Sequence, residues 1–354
     1  MIDWTQSMNQ TFEYYEVDPE TWKDKKLLTN ITKSSINRDD SAETLGSASI
    51  DANEMFGEAY IRIYLVVSQN GITEKVSLGV FLIQTPQTSF DGKVKSVSMD
   101  AYTPLIELKE KPVDYGFAIE KGTNILEAIC LKLSNKELMR APVIETSSDK
   151  TLDDDFVANV DDNWLTFFSD LLYKADYKFY LTEDGAVTFA PRQSMDQLQP
   201  VWTYTDDNSS ILLPEIELKH DIYGIPNVVE VICRVGTEMY HAVVENNDPN
   251  SPTSIQQRGR RIIYRDTHPN LSSNPLAEQV DEYAELLLKS LNEVEYEISY
   301  SHGYCPVRVG DCVRLNYKRV GLEGTKAKVI SQKIECGLGC KVSEVARFSK
   351  NLWK

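Results

Sequence analysis

The stretch YIRIYLVVSQNGITEKVSLGVFLIQT, residues 60–85, is two apolar runs joined by Asn70-Gly71. Asn-Gly is the dipeptide that a two-residue hairpin turn favours, because both central residues must take positive φ. The first run, YIRIYLVV (60–67), alternates only in part, whereas EKVSLGVFLIQT (74–85) continues as a long and largely apolar strand. A second turn signal, Asp91-Gly92, precedes KVKSVSMDAY. Residues 27–104 therefore predict several strands joined by short turns, an antiparallel sheet or barrel.

The period changes after KEKPVDYG (109–116). NILEAICLKLSN (124–135) places Ile125, Ile129 and Leu133 on one helical face, and Asn124 with Glu127 forms a capping pair. The acidic stretch ETSSDKTLDDDF follows, then DDNWLTFFSDLLYKA, where Trp164, Phe168, Leu171 and Ala175 recur at helical spacing. YKFYLT, Asp184-Gly185 and AVTFAP read as a hairpin. A helix–helix–hairpin segment thus separates two β regions.

β character returns in VVEVICRV (228–235), where Val229, Val231, Cys233 and Val235 share a face, and in MYHAVVE. After a polar loop, 246–261, a helix opens with Asn274 as N-cap and Pro275 at the first helical position. Leu276, Val280, Ala284, Leu287 and Leu291 form its expected buried stripe. Three strands close the chain, in RVGDCVRLNY, TKAKVISQKI and KVSEVARF. The expected fold class is α+β and mainly β, in three parts: a β-barrel domain (1–114), an inserted α/β domain (115–200) and a second β-barrel domain (201–354) carrying the long helix 274–292.

With 54 acidic against 37 basic residues and a net charge of -17, the chain lacks the basic surface that generic nucleic-acid or anionic-lipid binding requires. No apolar run of transmembrane length appears, and the first residues show no leader pattern, so a soluble protein made in a cytoplasm is expected. Thiols there stay reduced. Cys130 and Cys233 lie in apolar runs and read as core residues.

Cys305, Cys312, Cys336 and Cys340 form two pairs, and Cys336 and Cys340 come close to the spacing of a zinc knuckle. Zinc, a disulfide and free thiols are the alternatives, with free thiols at strand turns preferred. His220, His241, His268 and His302 are scattered and match no metalloprotease spacing. No nucleophile elbow or phosphate-binding glycine loop occurs, and no catalytic residue or cofactor is assigned. Asp149, Asp153, Asp154, Asp155, Asp161 and Asp162 lack the pattern of a calcium loop and read as a solvated, mobile segment. Arg258, Arg260 and Arg261, at the end of the long loop, form the one compact basic patch and suit an acidic neighbouring subunit.

Taken in order, SLGVFLIQTP, KGTNILEAI, GAVTFAP, IPNVVEVI, HAVVENNDPNSPTS with YRDT, and YCPVRVGDCVRLNY with AKVISQKIECGLGC span nearly the whole chain. This series resembles the phage tail baseplate hub proteins of viruses infecting Gram-positive bacteria and of phage-like contractile particles. They are related to the tail-associated proteins of flexible-tailed phages. The resemblance implies a non-enzymatic homotrimer whose chains each contribute two tail-tube-like antiparallel β-barrels and smaller α/β domains. Six barrels per ring would cap a sixfold tail tube on one side and offer threefold symmetry to a central spike or tip on the other.

The implied partners are the tail tube or distal tail protein, the spike or tail-tip protein and the tape-measure protein, with DNA only in transit and no membrane binding. The implied location is the virion tail baseplate, assembled in the host bacterial cytoplasm. An acidic channel wall would let DNA slide without being held. Larger relatives carry a C-terminal cell-wall-degrading domain; the chain ends at FSKNLWK, so no such domain is expected here. The alternatives are a tail-tip cell-wall hydrolase or a receptor- or carbohydrate-binding tail-tip protein.

Overall fold

The computed structural model describes residues 2–55, 57–90, 92, 95–272 and 275–353. The chain is mainly β and divides into two compact units, residues 1–215 with 300–345, and residues 216–299 with 346–354. No described helix is long and apolar enough to cross a membrane.

In the first unit, Asn70 and Gly71 take φ of 52° and 80°, and Gln69 pairs with Ile72 across the turn. The partial alternation of 60–67 has a physical cause, because both faces of this strand are covered. Ile61, Ile63, Leu65 and Val67 enter the main core, while Tyr60 joins Val17, Val80 and Leu82 in a smaller cluster. The second turn signal is only partly observed, since Asp91 lies outside the described residues.

The strand order is Leu212–His220, Glu293–Gly303, Lys341–Asn351, Leu322–Cys336, Ile31–Asp39, Gly46–Ala52, Lys95–Tyr102, Ile72–Phe90, Tyr60–Gln69, Asn9–Val17 and Asp24–Leu28. The last two strands were not expected from the sequence. Asp24–Leu28 pairs only with Asn9–Val17, so this path is open and no closed barrel forms along it among the described residues. The pair Pro200–Thr205 with Cys312–Tyr317 is parallel, against the expected antiparallel pattern. Residues 304–311 are irregular, so the segment beginning at Cys305 is not the first arm of a hairpin. Asp311 instead folds it locally, its carboxylate accepting from the Arg308 N–H at 2.8 Å.

The inserted segment follows its sequence closely. Helix Ile125–Ser134 is capped by Asn124, whose side chain accepts from the Glu127 N–H, and Trp164–Lys174 is capped by Asn163 accepting from the Thr166 N–H. Ile125, Ile129, Leu133, Trp164, Phe168, Leu171 and Ala175 share one core with Phe179 and Phe189 of the hairpin Tyr177–Leu181/Val187–Pro191. The acidic stretch is not a free loop: Leu152 exchanges backbone hydrogen bonds with Gly122 and Thr123, and Phe156–Val157 pairs with Ala118–Ile119.

Gly185 sets the hairpin against the sheet. Its φ is +76°, and a Cβ there would lie 2.6 Å from the Val80 Cβ, so a side chain would push the tip off the strand. The neighbouring carbonyls are held by donors from the sheet: Trp22 Nε1 donates to Asp184 O at 2.7 Å and Ser77 Oγ donates to Glu183 O at 2.7 Å.

In the second unit, Val228–Val235 is the central strand, antiparallel to Glu238–Glu245 and parallel to Ile263–Asp266. Val229, Val231 and Ala242 pack beneath Val280, Ala284 and Leu288 of helix Ala277–Leu291. The helix starts later than its sequence suggests: Asn274 lies outside the described residues, Pro275 precedes the helix, and Leu276 is the N-cap residue and is exposed. Gln279 Oε1 accepts from the Leu276 N–H at 2.9 Å, supplying the cap from within the first turn.

Candidate functional site

Two buried polar systems organise the units, and neither was assigned from sequence. The first lies in the larger unit. Arg38 Nη2 donates to Leu78 O and Nη1 to Gln332 Oε1, both at 2.8 Å, and Gln332 Nε2 donates to Glu344 Oε1 at 2.7 Å and to Val307 O at 2.9 Å. The other carboxylate oxygen of Glu344 accepts from Tyr300 at 2.7 Å and from Tyr204 at 3.2 Å. His302 Nε2 lies 3.3 Å from Glu344 Oε1 and 3.0 Å from the Tyr204 hydroxyl, while Nδ1 donates to Gly303 O at 2.6 Å.

Neither His302 nor Glu344 has a solvent-exposed side chain. Burial alone would drive the imidazole toward its neutral form, but hydrogen bonds to Cys305 and Glu344 and the carboxylate's charge outweigh it and raise the pKa to about 10. Burial would also raise the Glu344 pKa, and the hydrogen bonds and charge of His302, with hydrogen bonds from Tyr300 and Gln332, instead hold it below the ordinary value. The pair is an imidazolium–carboxylate bridge with the remaining carboxylate lone pairs occupied, the condition under which a buried ion pair is tolerated.

Cys305 Sγ lies 3.8 Å from His302 Nδ1 and 3.3 Å from the Tyr204 hydroxyl. Thiol, imidazole and carboxylate in contact have the composition of a nucleophile, a base and an orienting group. Cys305 and His302 are both 0% exposed, so the trio lies wholly inside the larger unit.

The other cysteines of the candidate metal set occupy two places. Cys312 is buried on the strand paired with Pro200–Thr205, and Cys336 and Cys340 lie in the main core near Tyr14 and Ser34. Burial pushes the Cys336 thiol up to about 11 and the Cys340 thiol higher still, away from the thiolate that a metal requires. Among the described residues no group of three or more potential ligands could hold a metal ion.

The second system holds the long loop 246–261 of the smaller unit. Asn246, Thr253 and Asn292 are each fully buried. Asn246 Nδ2 donates to Ser251 Oγ at 2.8 Å, and Thr253 donates to Asn292 Oδ1 at 2.6 Å. Asn292 Nδ2 in turn donates to Pro226 O at 3.0 Å and Leu288 O at 2.9 Å, so the loop is tied to the helix end. Asn227 joins the same region, its Nδ2 donating to Arg260 O at 2.9 Å.

The three arginines have different situations. Arg258 donates to Ile225 O at 2.8 Å and Ile222 O at 2.7 Å, and Arg261 pairs with Glu245 at 2.7 Å. Both are committed within the unit. Arg260 is exposed and makes no ion pair among the described residues.

No family model matches the chain, and no curated protein matches it in sequence. Solved structures do. A tail protein from Neisseria meningitidis MC58 superposes over 97% of this chain and 98% of its own, with TM-score 0.58 at 11% identity. The 43 kDa tail protein of prophage MuSo2 from Shewanella oneidensis covers 96% of this chain and 98% of its own, also with TM-score 0.58, at 10% identity. A chain of the Francisella PdpA–VgrG complex covers 97% of this chain over 53% of its own, with TM-score 0.53 at 11% identity. The chain has the fold of phage tail proteins. Within that class, its two similar tail proteins match it from end to end rather than through one domain.

Proposed function

We propose that the chain is a structural, non-enzymatic hub of a phage or phage-like tail baseplate. The observation that carries this reading is the end-to-end likeness to the Neisseria tail protein, 97% of one chain against 98% of the other. A chain that matched only a shared module would leave the rest of either protein unaligned. In this reading three copies form a ring joining the tail tube or distal tail protein to a central spike or tip, and two β regions, 1–114 and 201–354, flank the insert at 115–200. The buried Arg38–Gln332–Glu344–His302 system supports it, because a ring that transmits force gains from interiors with a single satisfied hydrogen-bond arrangement.

The ring leaves a channel for the tape-measure protein and DNA, and the net charge of -17 gives that wall an excess of carboxylates. Of the arginine cluster, Arg260 is the residue left to meet an acidic neighbour. Cryo-electron microscopy of particles carrying a tagged chain tests the proposal. Threefold density at the tail tip with an acid-lined bore is the expected result; a chain located elsewhere in the particle, or a bore lined by lysine and arginine, contradicts it. Peptidoglycan zymography supplies the separate test of the non-enzymatic reading, with no lysis expected from the purified chain.

A further inference from the structure

A cavity of about 480 Å³ lies in the larger unit, in the size range of specific binding pockets. Its walls come from the insert's hairpin, from the sheet near Leu78–Phe81, and from the segments around Leu198 and Val309. Leu198, Val201 and Phe81 supply apolar surface, and Val201 is 55% exposed. Basic side chains outnumber acidic ones among the lining residues by five to three, the reverse of the whole chain's 37 against 54. Two of the five, Lys178 and Lys328, both contact the single carboxylate of Asp40, Lys328 at 3.5 Å. Both lysine side chains remain partly exposed, and the three groups together carry one more positive than negative charge.

The complementary feature is on another surface of the same unit. Between residues 153 and 161 the chain exposes Asp153, Asp154 and Asp161 together with Val157 and Val160, the valines at 57% and 83% exposure. This ridge is fixed before any contact forms. Val157 pairs with Ala118, and the Ala158 N–H donates to Phe117 O at 3.0 Å. A preformed ridge avoids the ordering cost that a flexible segment pays on binding.

We propose that the cavity receives the acidic, apolar ridge 153–161 of a second copy of this chain. The carboxylate of Asp154, 92% exposed and held only by a long 3.7 Å contact with the exposed Lys121, exchanges that contact for the Lys178–Asp40–Lys328 cluster, and Val157 and Val160 cover the apolar wall near Val201. Because cavity and ridge are different surfaces, the contact is head-to-tail, the type that closes into a ring when the rotation per copy permits. The inference rests on the ring reading above and names the surfaces that join its copies.

Sedimentation of the full chain tests it at near-physiological salt. The wild type is expected to self-associate. Val160→Asp and Val201→Asp, both at exposed positions that the fold does not depend on, should each weaken association about tenfold or more. Lys328→Glu should weaken it by a similar factor, and adding Asp154→Lys to the same chain should recover most of the loss. If Lys328→Glu disturbs folding, as read by circular dichroism, the two valine variants decide the question. A wild type that stays monomeric up to roughly 100 μM, or an oligomer unmoved by both valine variants, overturns the contact. Neither result touches the tail reading, which is decided by where the tagged chain sits in the particle.

Discussion

The His302–Glu344 bridge makes the most demanding prediction. Replacing Glu344 by Gln keeps the shape and the hydrogen bonds to Tyr300 and Tyr204 while leaving the imidazole without its counter-charge. The raised imidazole pKa, about 10 against an ordinary 6.5, corresponds to about 5 kcal/mol of preferential stabilisation of the charged form. Breaking one partner of a buried pair typically costs about 3–5 kcal/mol, so Glu344→Gln should lose about 4 kcal/mol near pH 6.

The pH dependence follows from the direction of each shift. Because the folded His302 pKa is raised, its contribution is complete below about pH 6.5 and is lost as pH climbs toward 10. Glu344 is shifted downward, so its contribution is present above the ordinary carboxylate range and is lost on acidification. Wild-type stability should therefore fall by about 1.4 kcal/mol per pH unit above 7, or about 2 kcal/mol between pH 7 and 8.5. In Glu344→Gln this slope should shrink sharply, because burial then opposes the charged imidazole with only the contact to Cys305 left to support it. Urea unfolding of both proteins across pH 6–8.5 measures the difference, and comparing the two at each pH cancels the slope that the six cysteines, which ionise near 8.5 in an unfolded chain, add to both. A loss below about 1 kcal/mol, or the same slope in both proteins, refutes the charged bridge.

Other expectations are simpler to read. Gly185→Ala should destabilise the larger unit by about 1–3 kcal/mol, because the new Cβ meets Val80 at a positive φ; thermal unfolding checks it, and a neutral result removes the hairpin-docking account. Asn163→Ala should cost about 1 kcal/mol through loss of the cap on helix Trp164–Lys174, whereas Asn163→Asp should keep most of it. Thr253→Val should cost about 1–3 kcal/mol by stranding the buried Asn292 carbonyl, and amide exchange should quicken in 246–258 before it does in the strand Val228–Val235.

Local signals carried much of the fold. Asn70-Gly71 determined a hairpin and its register, because few other dipeptides hold two positive φ values. Asn124 and the helical spacing of Trp164, Phe168 and Leu171 determined the insert, because caps and amphipathic faces depend on residues within a turn or two of each other. His302 and Glu344 fall in the buried register of EVEYEISYSHG and KVSEVARF, shared with Val294, Tyr296, Ile298 and Tyr300, and with Val342 and Ala346. A charged residue in a buried register is the signal that would have predicted a partner.

Tertiary structure alone decided which partners meet. The strand Asn9–Val17, with only Tyr14 and Val17 buried, has too weak a pattern to be recognised, and its place is fixed by the edge of Tyr60–Gln69 that it covers. The parallel pairing of Pro200–Thr205 with Cys312–Tyr317 joins residues more than a hundred positions apart, and no local preference encodes such a contact. The four C-terminal cysteines do not share one place: Cys336 and Cys340 lie together in the main core while Cys312 lies on the strand paired with Pro200–Thr205, because the fold and not the spacing decides where each is buried. Sequence fixed what each short segment prefers to be; only the packed chain brought Arg38, Gln332, Glu344 and His302 together, since a hydrogen bond forms where the fold delivers its two atoms.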